Sequence, residues 1–173
     1  MGKKSIKEDK NIYQLCREDL ELSRAKAAEM MTAVSAAQIE KIENGKEPTP
    51  YEIVQMADCY KKPQLCNYYC SHRCAIGARY VPEVEVSELP NIILETIASL
   101  NDINPLTARL IQIARDGEIS DDEIPDFARI SCKLDEISMA VDSLNLWVEK
   151  TIAENRINEE LLNTEKAKIK QME

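Results

Sequence analysis

Residues 22–45 constrain the fold of this chain more than any other segment. They read LSRAKAAEMMTAVSAAQIEKIENG, which is two short helical patterns joined by a tight turn. Ser23 and Ser35 each precede a pattern, at the position where a side-chain oxygen accepts hydrogen bonds from free backbone N–H groups. Gly45 follows the second pattern, where a left-handed residue is favoured. Two helices this short cannot bury their apolar faces alone, so they require flanking helices.

The flanking sequences predict those helices. Residues 11–20 indicate one, and residues 49–60 indicate another, in which Thr49 is a suitable N-cap and Pro50 suits the first helical position. The residues expected to lie inside are Ile12, Leu15, Cys16, Ala27, Ala28, Met31, Ile39, Ile42, Ile53, Val54, Met56, Ala57 and Tyr60. The pattern therefore predicts a cluster of four helices over residues 10–62.

Several residues of this cluster fall in a characteristic order and spacing. They are Ala28 in the second helix, Ile39 and Ile42-Glu43-Asn44-Gly45 in the third, Pro48 after it, and Met56-Ala57 in the fourth. In this respect residues 10–62, about a third of the chain, resemble the Cro/repressor (Xre-type) helix-turn-helix family. The resemblance implies a lambda-repressor-like DNA-binding domain of four or five helices. It also implies a transcriptional regulator that places helix 35–44 in the DNA major groove.

The resemblance also implies which side chains would meet DNA. The exposed N-terminal part of the third helix would face the base edges, and the amide of Gln38 suits a bidentate pair with adenine. The start of the second helix, around Arg24, suits phosphate. The full set of expected DNA-contacting residues is Ser23, Arg24, Lys26, Ser35, Ala36, Ala37, Gln38, Lys41, Asn44 and Lys46. A basic N-terminal arm adds Lys3, Lys4, Lys7 and Lys10.

The charge of the chain is divided unevenly between its halves. Residues 1–80 hold 13 Lys+Arg and 11 Asp+Glu, a net charge of +2, whereas residues 81–173 hold 9 and 20, a net charge of −11. Affinity for phosphate depends on local cations rather than on total charge. The acidic half is therefore expected to lie away from a bound duplex, and it offers a surface for a protein partner.

The composition indicates the fold class and the cellular location that we expect. Glycine is scarce, with 4 residues, and aromatic residues make up 5% of the chain, which favours an all-α protein. No apolar run reaches the length of a transmembrane helix, and the first residues lack a signal-peptide pattern, so a cytoplasmic protein without membrane contact is expected. The one histidine has no partner pattern and no phosphate-binding glycine loop is present, which argues against an enzyme.

The second half predicts helices and a heptad seam. Shorter helices are expected over 90–100 and 105–115, and a long one over 121–155. Apolar residues of the long helix recur at alternating spacings of 3 and 4: Phe127, Ile130, Leu134, Ile137, Val141, Leu144 and Val148. Such a seam packs either within the chain or against a second copy. Because helix-turn-helix proteins usually bind two half-sites, we expect a homodimer through 90–155, as a helical bundle or coiled coil.

A cluster of thiols separates the two halves. Cys66, Cys70 and Cys74 recur every four residues, with His72 between them and Cys59 shortly before. Thiols with one imidazole suit zinc, and three thiols suit an iron–sulfur cluster, although the spacing is unusual for either. The alternative is that these cysteines are small packed residues. The sequence therefore establishes no cofactor.

Together these patterns predict a helix-turn-helix DNA-binding domain with a basic arm over 1–64, a Cys-rich connector over 65–89 and an acidic helical dimerisation domain over 90–173. The expected function is sequence-specific binding of double-stranded DNA. Two alternatives stay open: a protein-interaction adaptor built on the helix-turn-helix shape, and a metal- or thiol-responsive regulator.

Overall fold

The computed structural model of this protein describes residues 9–85, 87–115 and 117–172. Within these residues the regular secondary structure is α-helical throughout, which confirms the predicted all-α class. The helices are α1 (Ile12–Asp19), α2 (Arg24–Met30), α3 (Ala36–Glu43), α4 (Pro50–Tyr60), α5 (Gln64–His72), α6 (Gly77–Tyr80), α7 (Leu89–Ile113), α8 (Ile124–Ala153) and α9 (Glu159–Met172). Lys3, Lys4 and Lys7 of the predicted arm lie outside the described residues. None of the helices described is long and apolar enough to cross a membrane.

Side-chain caps fix the start of the first four helices. The Ser23, Ser35 and Thr49 hydroxyls, at the predicted positions, each accept a hydrogen bond from a backbone N–H of the turn that follows. The Asn11 side chain does the same for α1. Thr49 and Glu52 form a reciprocal capping box, in which the Thr49 N–H donates to the Glu52 carboxylate at 2.7 Å. Each cap satisfies a donor that the helix itself leaves unpaired.

The chain divides into two compact units, the first formed by residues up to Glu83 and from Val148 onward, the second by residues 84–147. In the first unit α1 packs against α3 and α4, α2 against α3, and α4 against α5. These helices enclose a buried apolar core made of Tyr13, Cys16, Ala27, Met31, Val34, Ile39, Ile42, Ile53, Met56, Ala57, Cys59, Tyr60 and Leu65.

Two residues expected inside this core lie at the surface. Leu15 is 52% exposed and Val54 is 46% exposed. On α1 the inward positions are partly polar, because Gln14 and Arg17 are buried and form buried hydrogen bonds. On α4 the buried apolar residues 53, 56, 57 and 60 follow the helical repeat, and Val54 falls outside that stripe.

In the second unit, residues 89–113 form a single helix rather than the two expected over 90–100 and 105–115. Pro105 lies inside α7, where a proline removes one backbone hydrogen bond and costs about 3 kcal/mol. Ile92 and Ile113, one on each side of Pro105, are buried. Burial of both halves offsets the cost, so the helix continues.

Two ion pairs show that α7 and α8 run antiparallel. Arg109 Nε lies 2.7 Å from Asp126 Oδ2, and Lys133 Nζ lies 3.1 Å from Asp102 Oδ2. Later residues of α7 therefore lie beside earlier residues of α8. The second unit is built on a two-helix hairpin.

The hairpin buries only part of the predicted heptad seam. Ile130 is 1% exposed, whereas Phe127, Leu134 and Val141, spaced seven residues apart, are 39%, 49% and 45% exposed. The neighbouring helix α7 also exposes apolar residues: Ile93, Leu94, Ile97, Leu100 and Ile111. Apolar side chains of both helices are thus left at the surface of the chain.

Gly77, the first residue of α6, lies directly against the backbone of α5. A Cβ atom added there would clash with the Cys70 carbonyl oxygen. Because the backbone would have to shift, we expect Gly77→Ala to lower the free energy of unfolding by about 1–3 kcal/mol, measured by urea denaturation. Ala78 is exposed in the same helix, so Ala78→Ser should change it by less than about 0.5 kcal/mol. Equal stability of the two variants would contradict the close approach.

Candidate nucleic-acid interface

A buried ion-pair cluster holds α1, α2 and α3 together. Arg17 of α1 donates to both carboxylate oxygens of Glu43, with Nε at 2.6 Å from Oε1 and a second nitrogen at 3.0 Å from Oε2. Arg24 of α2 donates to Glu43 at 2.8 Å and to Glu40 at 2.9 Å. The side chain of Glu43 is 0% exposed. Two guanidinium groups therefore converge on one buried carboxylate at the end of α3.

This cluster also stabilises the charged form of Arg17. Burial disfavours its charged form, but the hydrogen bonds and the charge of Glu43 outweigh burial and hold the pKa of Arg17 above its ordinary value. Arg17 further donates to the Leu22 carbonyl, and the Asn11 side chain donates to the Ile42 carbonyl at 2.8 Å. These contacts join α1 to the start of α2 and to the end of α3. The sequence analysis, which followed the apolar residues, did not predict them.

The N-terminal part of α3 is accessible to solvent. Ala37 and Lys41 are exposed, and Ala36 and Gln38 are partly exposed. No acidic residue occurs in this helix before Glu40. The Ser35 hydroxyl accepts from the Gln38 N–H at 3.2 Å, so its oxygen caps the helix while its proton stays available to an acceptor.

The side chain of Gln38 is held by a neighbouring helix. Its amide nitrogen donates to the Glu52 carboxylate of α4. Glu52 is 7% exposed, and its other carboxylate oxygen accepts from the Thr49 N–H. The predicted base-reading side chain is therefore positioned by a contact between residues 14 apart in sequence, which no local sequence pattern signals.

The predicted phosphate-binding cations fall into two groups. Arg24 is engaged with Glu40 and Glu43, and Lys26 pairs with Glu29 at 3.0 Å, both at solvent-accessible positions. Lys41 and Lys46 are exposed and form no ion pair with any acid that the structure describes. Asn44 is exposed beside them as the C-cap of α3. From the predicted arm, Lys10 is occupied by Glu18 at 2.7 Å.

The predicted thiol site is not assembled. Helix α5 ends at His72, so Cys74 lies beyond the helix and does not share a face with Cys66 and Cys70. Within residues 9–85, 87–115 and 117–172, no three His, Cys, Asp or Glu side chains come together as a metal site requires. Cys59 is buried separately, with its thiol 3.8 Å from the Ala27 carbonyl oxygen.

The other possible metal ligands make contacts elsewhere. His72 stacks on Tyr68, with ring centroids 4.5 Å apart, and its Nε2 lies 3.4 Å from Glu83. The Gly77 N–H donates to the Cys74 sulfur at 3.4 Å. Burial, reinforced by nearby negative charge, raises the pKa of the Cys66 thiol, which disfavours the thiolate that a metal would require.

Comparisons of the chain with protein-family models, with curated proteins and with solved structures find no match. The resemblance of residues 10–62 to the Cro/repressor family therefore depends on the sequence pattern alone.

Proposed function

We propose that residues 10–62 form a helix-turn-helix domain that binds double-stranded DNA in a sequence-specific manner, with α3 in the major groove. The observation that carries the proposal is the way α3 is held. Its C-terminal end is clamped to α1 and α2 through Glu43, while its N-terminal part, from Ala36 to Gln38, remains accessible and free of acidic side chains. A rigidly held helix with a small, polar tip fits the major groove.

The charges around α3 support binding of the phosphate backbone. Lys41 and Lys46 supply cations that form no ion pair among the described residues, and the Ser23 and Ser35 caps place hydroxyl groups at the starts of α2 and α3. Acidic Glu40 is neutralised by Arg24 at 2.9 Å. The set is small, so we expect modest non-specific affinity with a strong dependence on salt.

Dimer formation through the second unit completes the proposal. The α7–α8 hairpin exposes a stripe of apolar residues seven apart, represented by Phe127, Leu134 and Val141. A two-helix hairpin has too little interior to cover such a stripe, and a second hairpin would cover it as a four-helix bundle. Two copies would then place two α3 helices on successive half-sites of a palindrome.

The decisive experiment is selection of duplexes from a random pool by the full-length protein at about 0.1 M salt, where long-range attraction is already screened. Enrichment of a palindrome is the expected result. It would establish sequence-specific binding, and the half-site spacing would report the two-fold symmetry. If no sequence is enriched, the DNA-binding proposal is wrong.

A charge variant gives a second test of the same surface. Lys41→Gln should weaken binding to the selected duplex and reduce the slope of log K against log[salt] by about 0.9, as loss of one phosphate contact does. Lys61→Gln is the matched control, because Lys61 is exposed and follows α4 at the end opposite Thr49 and Glu52. Both slopes are measured by fluorescence anisotropy. Equal slopes for the two variants would show that Lys41 does not contact the DNA backbone.

The alternative function is that of a protein-interaction adaptor. Exposed apolar side chains of the first unit favour it, since Met30, Tyr51 and Val54 are 55%, 57% and 46% exposed. The duplex selection separates the two functions. An adaptor would enrich no sequence, and Lys41→Gln would leave its weak DNA affinity and salt slope unchanged.

A further inference from the structure

Glu52 occupies an unusual position for an acidic residue beside a candidate DNA-binding helix. It belongs to α4, is 7% exposed, and accepts from two groups: the Gln38 amide of α3 and the Thr49 N–H of its own helix. The second contact belongs to the capping box. The first contact is not needed to cap any helix, and it fixes a side chain that faces outward.

The chemistry of the two groups determines which way the Gln38 amide points. A carboxylate only accepts hydrogen bonds, whereas a glutamine amide has an NH2 end that donates and a carbonyl end that accepts. Only the NH2 end can face Glu52 favourably, because the reverse orientation sets two acceptors against each other. One N–H and the carbonyl oxygen of Gln38 are left for a ligand.

This arrangement requires Glu52 to be ionised. Burial acts to raise the pKa of Glu52, but hydrogen bonds from Thr49 and Gln38 and the nearby charge of Lys46 outweigh burial, and the pKa lies below its ordinary value. A carboxyl group with a lowered pKa stays charged at neutral pH. The contact therefore persists under the conditions in which DNA would be bound.

We propose that Glu52 is a positioning residue that orients the Gln38 amide so that it distinguishes adenine from guanine, an inference that rests on the proposed DNA-binding function. The major-groove edge of adenine offers one acceptor and one donor, N7 and N6, which match the outward carbonyl and the remaining N–H of Gln38. The edge of guanine offers two acceptors, N7 and O6. With one N–H committed to Glu52, Gln38 can satisfy only one of them.

The test compares the wild-type full chain with Glu52→Gln on paired duplexes that differ by adenine or guanine at the position read by Gln38. Glutamine at 52 keeps the size of the side chain, but its single carbonyl oxygen cannot accept from both the Thr49 N–H and the Gln38 amide. With that oxygen on Thr49, the NH2 group of the introduced glutamine faces Gln38 and favours the reversed Gln38 amide, whose carbonyl points inward. We expect the preference for adenine over guanine to fall roughly fivefold or more, the smaller end of what one bidentate contact provides. An unchanged preference in a variant that still binds the duplex would overturn the proposal.

Two controls separate positioning from a general effect of charge or stability. Glu29→Gln also removes one negative charge from the first unit, and Glu29 pairs with Lys26 rather than with Gln38, so it should leave the base preference unchanged. In a Gln38→Ala background, Glu52→Gln should no longer alter the base preference. A similar loss of preference in the Glu29→Gln variant, or an undiminished effect of Glu52→Gln without Gln38, would overturn the proposal.

A measurement without DNA keeps this inference separate from the proposed function. In the free, ¹⁵N-labelled protein, the side-chain NH2 protons of Gln38 should shift on Glu52→Gln and not on Glu29→Gln. Unchanged Gln38 resonances would show that Glu52 does not hold the amide, whether or not the chain binds DNA. Shifted resonances together with failure of the duplex selection would contradict the DNA-binding function and the base-reading role while leaving the contact itself intact.

Discussion

Replacing Glu43 with alanine is expected to lower the free energy of unfolding by about 3–5 kcal/mol, the usual consequence of removing one partner from a buried ion pair. Glu43 has no exposed side-chain surface and receives hydrogen bonds from Arg17 and Arg24. Without it, the Arg17 guanidinium, whose side chain is 7% exposed, loses its principal counter-charge inside the protein. The loss should reach the packing of α1, α2 and α3 together, since all three meet at this carboxylate.

Glu40→Ala is the matched control for this prediction. Glu40 also pairs with Arg24, at 2.9 Å, but its side chain is 55% exposed. Exposed pairs contribute at most about 1 kcal/mol, so this variant should remain close to the wild type. Urea denaturation followed by circular dichroism measures both variants. A Glu43→Ala variant no less stable than Glu40→Ala would contradict the structural role of the buried cluster.

Local rules predicted the parts of the fold that depend on local chemistry. The N-caps Ser23, Ser35 and Thr49 were found from the sequence because a cap requires only one side-chain oxygen and the backbone that follows it. The all-α class followed from helical periodicity and scarce glycine, and the structure confirms it. These features are encoded within single turns of the chain.

The features of the fold that the sequence analysis missed depend on contacts between residues far apart in the chain. Arg17 and Glu43 occupy inward positions, one turn after the buried apolar residues Tyr13 and Ile39 respectively. A charged residue at such a position is a signal for a buried pair, but its partner lies 26 residues away. The prediction of two helices around Pro105 was wrong for a related reason, because packing on both sides offset a local penalty.

The residues of the candidate DNA-binding surface were chosen from the sequence, but the contacts that hold them were not foreseen. On α3, Lys41 is exposed and Gln38 is partly exposed. That Arg24 serves Glu40 and Glu43, and that Gln38 is held by Glu52, depends on the approach of separate helices. The thiol site did not assemble because α5 ends before Cys74, an endpoint that the regular cysteine spacing does not reveal.

The second large effect is expected at the hairpin of the second unit. If two copies of the chain pair through the exposed seam, Leu134→Asp places an unpaired carboxylate in each half of an apolar interface. Leu134 is 49% exposed in the single chain, so the substitution should leave the hairpin folded while opposing association. An unpaired buried charge costs several kcal/mol and each 1.4 kcal/mol is a factor of ten, so dimer affinity should fall by about a hundredfold or more.

Sedimentation equilibrium of the wild type, Leu134→Asp and Ala128→Asp distinguishes the seam from the rest of the helix surface. Ala128 is exposed in α8 and does not belong to the heptad positions, so Ala128→Asp adds the same charge outside the seam and should remain dimeric. The monomeric Leu134→Asp variant should also lose its advantage for a palindrome over a single half-site, because the two α3 helices are no longer joined. A wild-type chain that stays monomeric at all concentrations, or a Leu134→Asp variant that stays dimeric, would show that the exposed stripe is not a dimer interface.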